Sequence, residues 1–427
     1  MTLTVYKFLL YLLLPFTALK LLWRARKQAE YLQHWRERYG FYCIPINKPV
    51  IWLHCVSVGE TRAATPLVKA LLKQYPNHQI LLTHTTPTGR ATSEQLFGDN
   101  VQRVYLPYDV PFAVNGFLRH FKPVIGVLME TELWFNLIAA CKQHNIPLLL
   151  VNARLSERSA RGYAKLGKLA RQGLQDLAEI AAQTQADAER LEQLGAKQVS
   201  VAGNLKFDVM PPDNAVIEGQ QLRALLGENR PVFLAASTRE GEEAIILDAL
   251  ILAADISSTS AKNAGLLTII VPRHPQRFSA VEALLQQRGI QYQKRSSLQQ
   301  EVNIKTQVIL GDTMGELFTY YASADICLVG GSLLPYGGQN LIEAMRMAKP
   351  VLIGAHTYNF NEISELSVQK GAALRANNAV EINQALQRLL HDPHKQAEMG
   401  AAGLAICQTS LGATQKTLEI ISCSIAR

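Results

Sequence analysis

From residue 48 onward, short apolar runs alternate with helix-patterned stretches, and this alternation constrains the fold more than any other feature of the chain. In the first half, strands are expected at 50–54, 79–84, 101–105, 124–129 and 147–151. Helical patterns fall between them at 61–74, 88–97, 111–121 and 133–144, with Leu67, Leu71 and Leu72 on one face of the first. Residues 152–203 are more helical, with closing strands expected at 179–183 and 198–202. Pro211-Pro212 in a polar surround then interrupts the pattern, as a linker does. A second alternation follows, with strands at 232–236, 266–271, 307–310, 326–329 and 350–353 and helices near 241–254, 275–288, 314–322 and 339–347. Strands that are apolar throughout, rather than on alternate positions, belong to parallel sheets covered on both faces. The expected fold class is α/β, with two doubly wound domains, a hinge, and ligands in the cleft outside the strands' carboxyl ends.

Two domains also suit the length, since 427 residues exceed what one ordinary core holds. The formal charge of +8 fits nucleic acid, an anionic membrane or an acidic substrate equally well. Basic residues do not cluster with aromatics on any one later element, so no nucleic-acid partner is expected. Six scattered cysteines, with no close pair and no short Cys/His spacing, suit a reducing compartment. They give no support for a structural metal, and no cofactor is expected.

Residues 5–23 (VYKFLLYLLLPFTALKLLW) form the most apolar stretch. Their uncharged core, 8–19, is 12 residues long, against the roughly 20 that spanning a bilayer needs. Snorkelling of Lys7 and Lys20 leaves a short span open, and a helix lying in the interface is the competing reading. No small-residue cleavage site follows, so the segment is read as a retained membrane anchor. Lys20, Arg24, Arg26, Lys27, Arg36 and Arg38 outnumber Glu30 and Glu37 just beyond it, which places the following domains on the cytoplasmic face.

The candidate chemistry sits in the loops after strands. Ser57-Val58-Gly59-Glu60-Thr61 opens a helix, where an acidic residue is ordinary and its pKa is expected to fall unless burial opposes the helix end. Met129-Glu130-Thr131-Glu132 carries two carboxylates off a buried strand. Capping of the next helix accounts for one of them but not both. Asn152–Ser156 ends the neighbouring strand, and Lys206 lies at the domain break, either solvated or aimed at an anionic sugar. In the second half four loops each open a helix with free N–H groups, which attract phosphate: 236–243, 272–275, 311–316 and 330–335. Neither G-x-G-x-x-G nor a P-loop occurs, which weakens dinucleotide oxidoreductase and NTPase readings.

Taken in order, HCVSVGE, METELW, VNARLS, GNLKFD, VPRHPQRF, GDTMGEL, GGSLLPYGGQN and HTYNF resemble the 3-deoxy-D-manno-octulosonic acid (Kdo) transferases of lipopolysaccharide biosynthesis. The blocks run from His54 to Phe360. The resemblance implies a GT-B glycosyltransferase with two Rossmann-like domains, acting in the cytoplasmic (inner) membrane without a metal. It implies CMP-Kdo as donor and a lipid A precursor as acceptor. The implied parts are an anchor (1–23), a basic juxtamembrane segment (24–47), an acceptor-binding domain (48–206), a linker (207–230) and a nucleotide-binding domain (231–405). A C-terminal helix (406–427) follows, with its return to the first domain left open. Carried over residue by residue, Glu60 matches the general base, and Glu130 and Lys206 match the groups that stabilise the transition state. CMP contacts fall on Arg273, His274, Met314, Gly315, Glu316, Asn340, Leu341, Ile342 and Glu343. Arg239, Gln339 and Ala344 depart from the family's common histidine, histidine and proline. A sugar-nucleotide epimerase of the same architecture and a sugar-binding protein without turnover are the alternatives.

Overall fold

The computed structural model describes residues 1–26, 28–257 and 265–426; Lys27 of the basic cluster lies outside the described residues. The chain divides into two compact units, Met1–Val209 with Ser410–Arg427, and Met210–Thr409.

The first unit is built on seven strands: β1 Val50–His54, β2 Gln79–His84, β3 Gln102–Tyr105, β4 Ile125–Met129, β5 Leu148–Ala153, β6 Glu179–Ala182 and β7 Val199–Val201. Their order is β3-β2-β1-β4-β5-β6-β7, and every pairing is parallel. Both faces are covered, as the continuous apolar runs require. Along β1, Val50 and Trp52 enter one core while Ile51 and Leu53 enter the other, a direct consequence of the two-residue period. The chain reverses its direction of growth between β1 and β4, which leaves a crevice at their carboxyl ends. The closing helix Ala413–Ala426 belongs to this unit and contributes Ala413, Leu418 and Ile421 to the core of helix Thr65–Gln74. Asp208 holds its start by accepting from the backbone N–H groups of Gly412 (2.9 Å) and Thr414.

The second unit repeats the plan with β8 Val232–Thr238, β9 Leu267–Pro272, β10 Tyr292–Lys294, β11 Val308–Leu310, β12 Ile326–Val329, β13 Val351–Ile353 and β14 Ala373–Arg375. The order is β10-β11-β9-β8-β12-β13-β14, again parallel throughout. Here the reversal falls at β8, between β9 and β12. The loop leaving β12 passes so close to the end of β8 that a Cβ on Gly330 would lie 2.6 Å from the Ser237 carbonyl oxygen. Only glycine allows that approach.

The sequence pattern missed β10 and β14, both three-residue strands on the outer edges. Both are partly solvated and too short to carry the apolar run that marked the longer strands. The helix expected over 61–74 is two helices, Val58–Ala63 and Thr65–Gln74, with Pro66 in the first turn of the second.

The N-terminal helix, Leu3–Ala25, is 23 residues long and apolar enough to cross a membrane by length and composition. It runs through Lys7, Pro15 and Lys20, so it is nearly twice as long as the uncharged core that the sequence suggested.

Candidate functional site

Glu60 is placed by a capping arrangement. Ser57 caps the helix Val58–Ala63 by accepting from the Glu60 N–H (3.4 Å). The Glu60 carboxylate turns back to accept from the Ser57 hydroxyl (3.0 Å) and the Val56 N–H (2.7 Å), a variant of the capping box. The ordinary structural reading of this residue is therefore realised, and only 8% of Glu60 is exposed. Its electrostatics go further. Burial, followed by the negative charge of Glu130, pushes the Glu60 pKa up to about 8, against the opposing hydrogen bonds from Val56 and Ser57. The drop expected from the helix end does not occur, because desolvation outweighs it.

Glu130 leaves the end of β4 with a backbone φ of +57°, a conformation rare for a side chain larger than glycine's. Its carboxylate accepts a charge-assisted bond from Lys206 Nζ at 3.0 Å. Lys206 comes from the 3-10 turn Leu205–Asp208, which is tied to β5 by the Leu205 N–H donating to Asn152 Oδ1 (3.0 Å). Asn152 is also left-handed, with φ +52°. Two such residues at the ends of adjacent strands mark backbone strain where chemistry is expected. Glu132, on the same loop, has its pKa raised to about 7, by burial first and by Glu130 second. Neither Glu130 nor Glu132 caps the helix Phe135–Gln143. That task falls to Asp109, which accepts from the N–H groups of Asn136 (3.1 Å) and Leu137 (2.8 Å). Neither carboxylate is therefore spent on that cap. Glu60 follows β1 and Glu130 follows β4, so the switch in strand order brings the two together.

In the second unit the predicted nucleotide residues all lie beyond the carboxyl ends of parallel strands. Arg273 and His274 follow β9, Met314–Glu316 follow β11, and Asn340–Glu343 lead into the helix Ile342–Arg346 after β12. Arg273 donates from Nε to Gln339 Oε1 (3.2 Å), so Gln339 is an acceptor here. Arg239 stacks over the Tyr336 ring (4.7 Å) and donates to His274 Nε2 (3.0 Å). An arginine has no acceptor to offer, so that nitrogen is unprotonated and His274 is neutral. Burial, then the charges of Arg239, Arg273 and Arg277, lower its pKa accordingly. Glu316 is held by Arg295 (2.9 Å) and Thr313, leaving Met314 and Gly315 exposed at the loop tip, with Gly315 at φ +88°. Asn340 donates to Glu343 (3.2 Å) and accepts from the Ile342 N–H (3.2 Å). Leu341 and Ile342 are buried, so their side chains belong to the core rather than to a ligand surface.

Glu242 was not singled out from the sequence. Its carboxylate is fully buried and accepts three backbone N–H groups, from Arg239 (2.8 Å), Gly331 (2.7 Å) and Leu333 (2.9 Å). It ties the loop after β8 to the loop after β12. Paired acidic residues at a helix start, followed far along the chain by a double glycine, are too common a signal to have revealed it.

Comparison with known proteins gives this geometry a family. Residues 33–209 match the family model described as 3-deoxy-D-manno-octulosonic-acid transferase (kdotransferase), and residues 286–405 match glycosyl transferases group 1. A 3-deoxy-D-manno-octulosonic acid transferase from Bordetella pertussis is 43% identical over 383 residues, covering 88% of this chain and 87% of that protein. Another, from Haemophilus influenzae, is 39% identical over 402 residues, covering 92% of each. The structure of Anabaena HepE in complex with UDP and glucose aligns with a TM-score of 0.58 at 16% identity, over 88% of this chain and all (100%) of that one. That likeness shows the fold, two Rossmann-like units of the GT-B kind. On sequence identity, coverage and fold together, this chain belongs to the 3-deoxy-D-manno-octulosonic acid transferase family.

Proposed function

We propose that the protein transfers Kdo from CMP-Kdo to a lipid A precursor with inversion, at the cytoplasmic face of the inner membrane. The observation that carries this reading is the buried Glu60, its pKa near 8, beside the Lys206–Glu130 pair in a chain of this family. Glu60 takes the proton of the acceptor hydroxyl as its oxygen attacks the anomeric carbon of Kdo. The bond from that carbon to the phosphate oxygen breaks, and CMP leaves with the electron pair. A carboxylate with a raised pKa is a stronger base than an ordinary one, which suits a weakly acidic alcohol. Glu130 favours the positive charge that develops on the sugar, and Lys206 holds the Glu130 carboxylate in place. Arg273 and the chain segments Met314–Glu316 and Asn340–Glu343 are proposed to meet CMP, with neutral His274 as a hydrogen-bonding partner rather than a charge.

The test is purified full-length protein with CMP-Kdo and a lipid A precursor, read by CMP release and by mass spectrometry of the lipid. A mass gain of whole Kdo units with equimolar CMP is expected. Folded protein that releases no CMP with both substrates present would sink the proposal. An epimerase would instead turn over its nucleotide sugar with no acceptor added.

Lys206 offers a sharper check. Lys206→Met leaves the Glu130 charge unneutralised beside Glu60, so kcat should fall roughly 10- to 100-fold and the acid limb of kcat/KM should move to higher pH. Glu130→Gln removes that charge, and the limb should move to lower pH. Limbs moving the same way in both variants would exclude the assigned electrostatics.

A further inference from the structure

We infer that the N-terminal helix lies in the plane of one membrane leaflet, docked along the first unit, and does not cross the bilayer. The inference rests on the membrane association proposed above but not on the sugar transferred. Inward-facing positions recur at Leu3, Tyr6, Leu10, Leu14, Thr17, Leu21 and Arg24, a three- and four-residue spacing that draws one seam along the whole helix. Contacts follow this seam from end to end. Leu3 joins the cluster of Phe135 and Leu169. Tyr6 donates to the buried Asp109 (2.9 Å) and meets the Phe135 ring edge-on (5.4 Å). Thr17 bonds Tyr39 (2.9 Å), Leu21 is buried, and Arg24 lies over the Tyr31 ring (5.3 Å).

At about 1.5 Å per residue, the seam is roughly 32 Å long, close to the full hydrocarbon thickness of about 30 Å. A spanning helix would have to undock or drag Asp109, Tyr39 and the elements that carry them through the lipid. The face opposite the seam presents Phe8, Leu12, Phe16, Leu19 and Trp23, with Phe8 68% and Trp23 60% exposed. Exposed Phe112 of the first unit, stacked with Tyr11 (6.4 Å), continues that surface. Lys20 in the helix and Arg26 at its end are exposed as well, so cations accompany the apolar face. An apolar surface accompanied by cations matches a leaflet carrying anionic headgroups, which is the occupant assigned here. Asp109 thus has two tasks. One carboxylate fixes the helix seam through Tyr6 and caps the helix that follows the Glu130–Glu132 loop, so the loop is held at the height of the membrane surface.

The experiment uses full-length protein in inverted inner-membrane vesicles, in a background with the exposed Cys43 and Cys423 replaced by serine. Thr2→Cys and Arg26→Cys are treated with a membrane-impermeant maleimide. Equal labelling of both in sealed vesicles, unchanged on permeabilisation, is the expected result. Labelling of Thr2→Cys only after permeabilisation overturns the inference while leaving membrane association intact. Separately, a Phe8, Leu12, Phe16 and Leu19 to serine variant is sedimented with phosphatidylethanolamine–phosphatidylglycerol vesicles, its folding confirmed by an unchanged melting profile. Its bound fraction should fall at least tenfold. Undiminished binding overturns the assigned face, and failure of the parent protein to bind vesicles overturns the membrane association itself.

Discussion

Glu60→Gln should reduce kcat by two orders of magnitude or more and, at alkaline pH, make the protein more stable than its parent. The first effect is the scale of general-base catalysis. The second follows from the raised pKa. The folded state holds the Glu60 proton up to a pH of about 8, whereas the unfolded chain releases it near the ordinary glutamate value of 4.5. Between those values the folded state binds more protons, so the stability associated with protonated Glu60 is present in full below about 4.5 and is lost as pH rises through about 8. With about 1.4 kcal/mol per pK unit, the parent loses roughly 3–5 kcal/mol over that window. Glutamine does not ionise, and it keeps the cap, since its oxygen accepts from Val56 and its amide donates to Ser57. Melting curves at pH 5 should therefore coincide, and at pH 9 the variant should melt several degrees higher. Activity loss with a lower melting temperature at every pH would reduce Glu60 to a cap. Retained activity would remove it from the mechanism altogether.

Glu242→Ala should be the most damaging single change in the second unit. It leaves three buried N–H groups, on Arg239, Gly331 and Leu333, without their acceptor. An unmet buried donor costs about 1–3 kcal/mol, and the loops share the damage, so a total of roughly 3–6 kcal/mol is expected. Chemical unfolding should show a lowered midpoint for the transition of the second unit. Hydrogen exchange should show faster exchange at Gly331 and Leu333. Where the variant is still folded, CMP affinity measured by calorimetry should drop tenfold or more, because the two loops beside Arg273 and Gln339 are no longer held. A variant with parental stability and exchange would show that water replaces the carboxylate without loss. That outcome would end the role assigned to Glu242.

These residues show where sequence reading succeeds and stops. The long strands were legible because a strand buried on both faces must be apolar at every position, as Ile51–Leu53 and Leu148–Val151 are. The edge strands β10 and β14 were not, since partial solvation relaxes that demand. Glu60, Glu130 and Lys206 stood out as polar residues following apolar runs. Each still had an ordinary reading, and for Glu60 that reading is also correct, because the residue is a cap.

By itself the sequence determined two parallel sheets, an apolar basic N-terminus and the loops from which chemistry would come, because periodicity and local composition are properties of neighbouring residues. Tertiary structure alone decided how those loops act. A pKa near 8 on Glu60 needs burial and the charge of Glu130, which a change in strand order sets beside it. The Glu242 triad and the seam under the N-terminal helix likewise depend on groups far apart in the chain. Electrostatic and desolvation energies depend on distance in space, which local sequence does not encode.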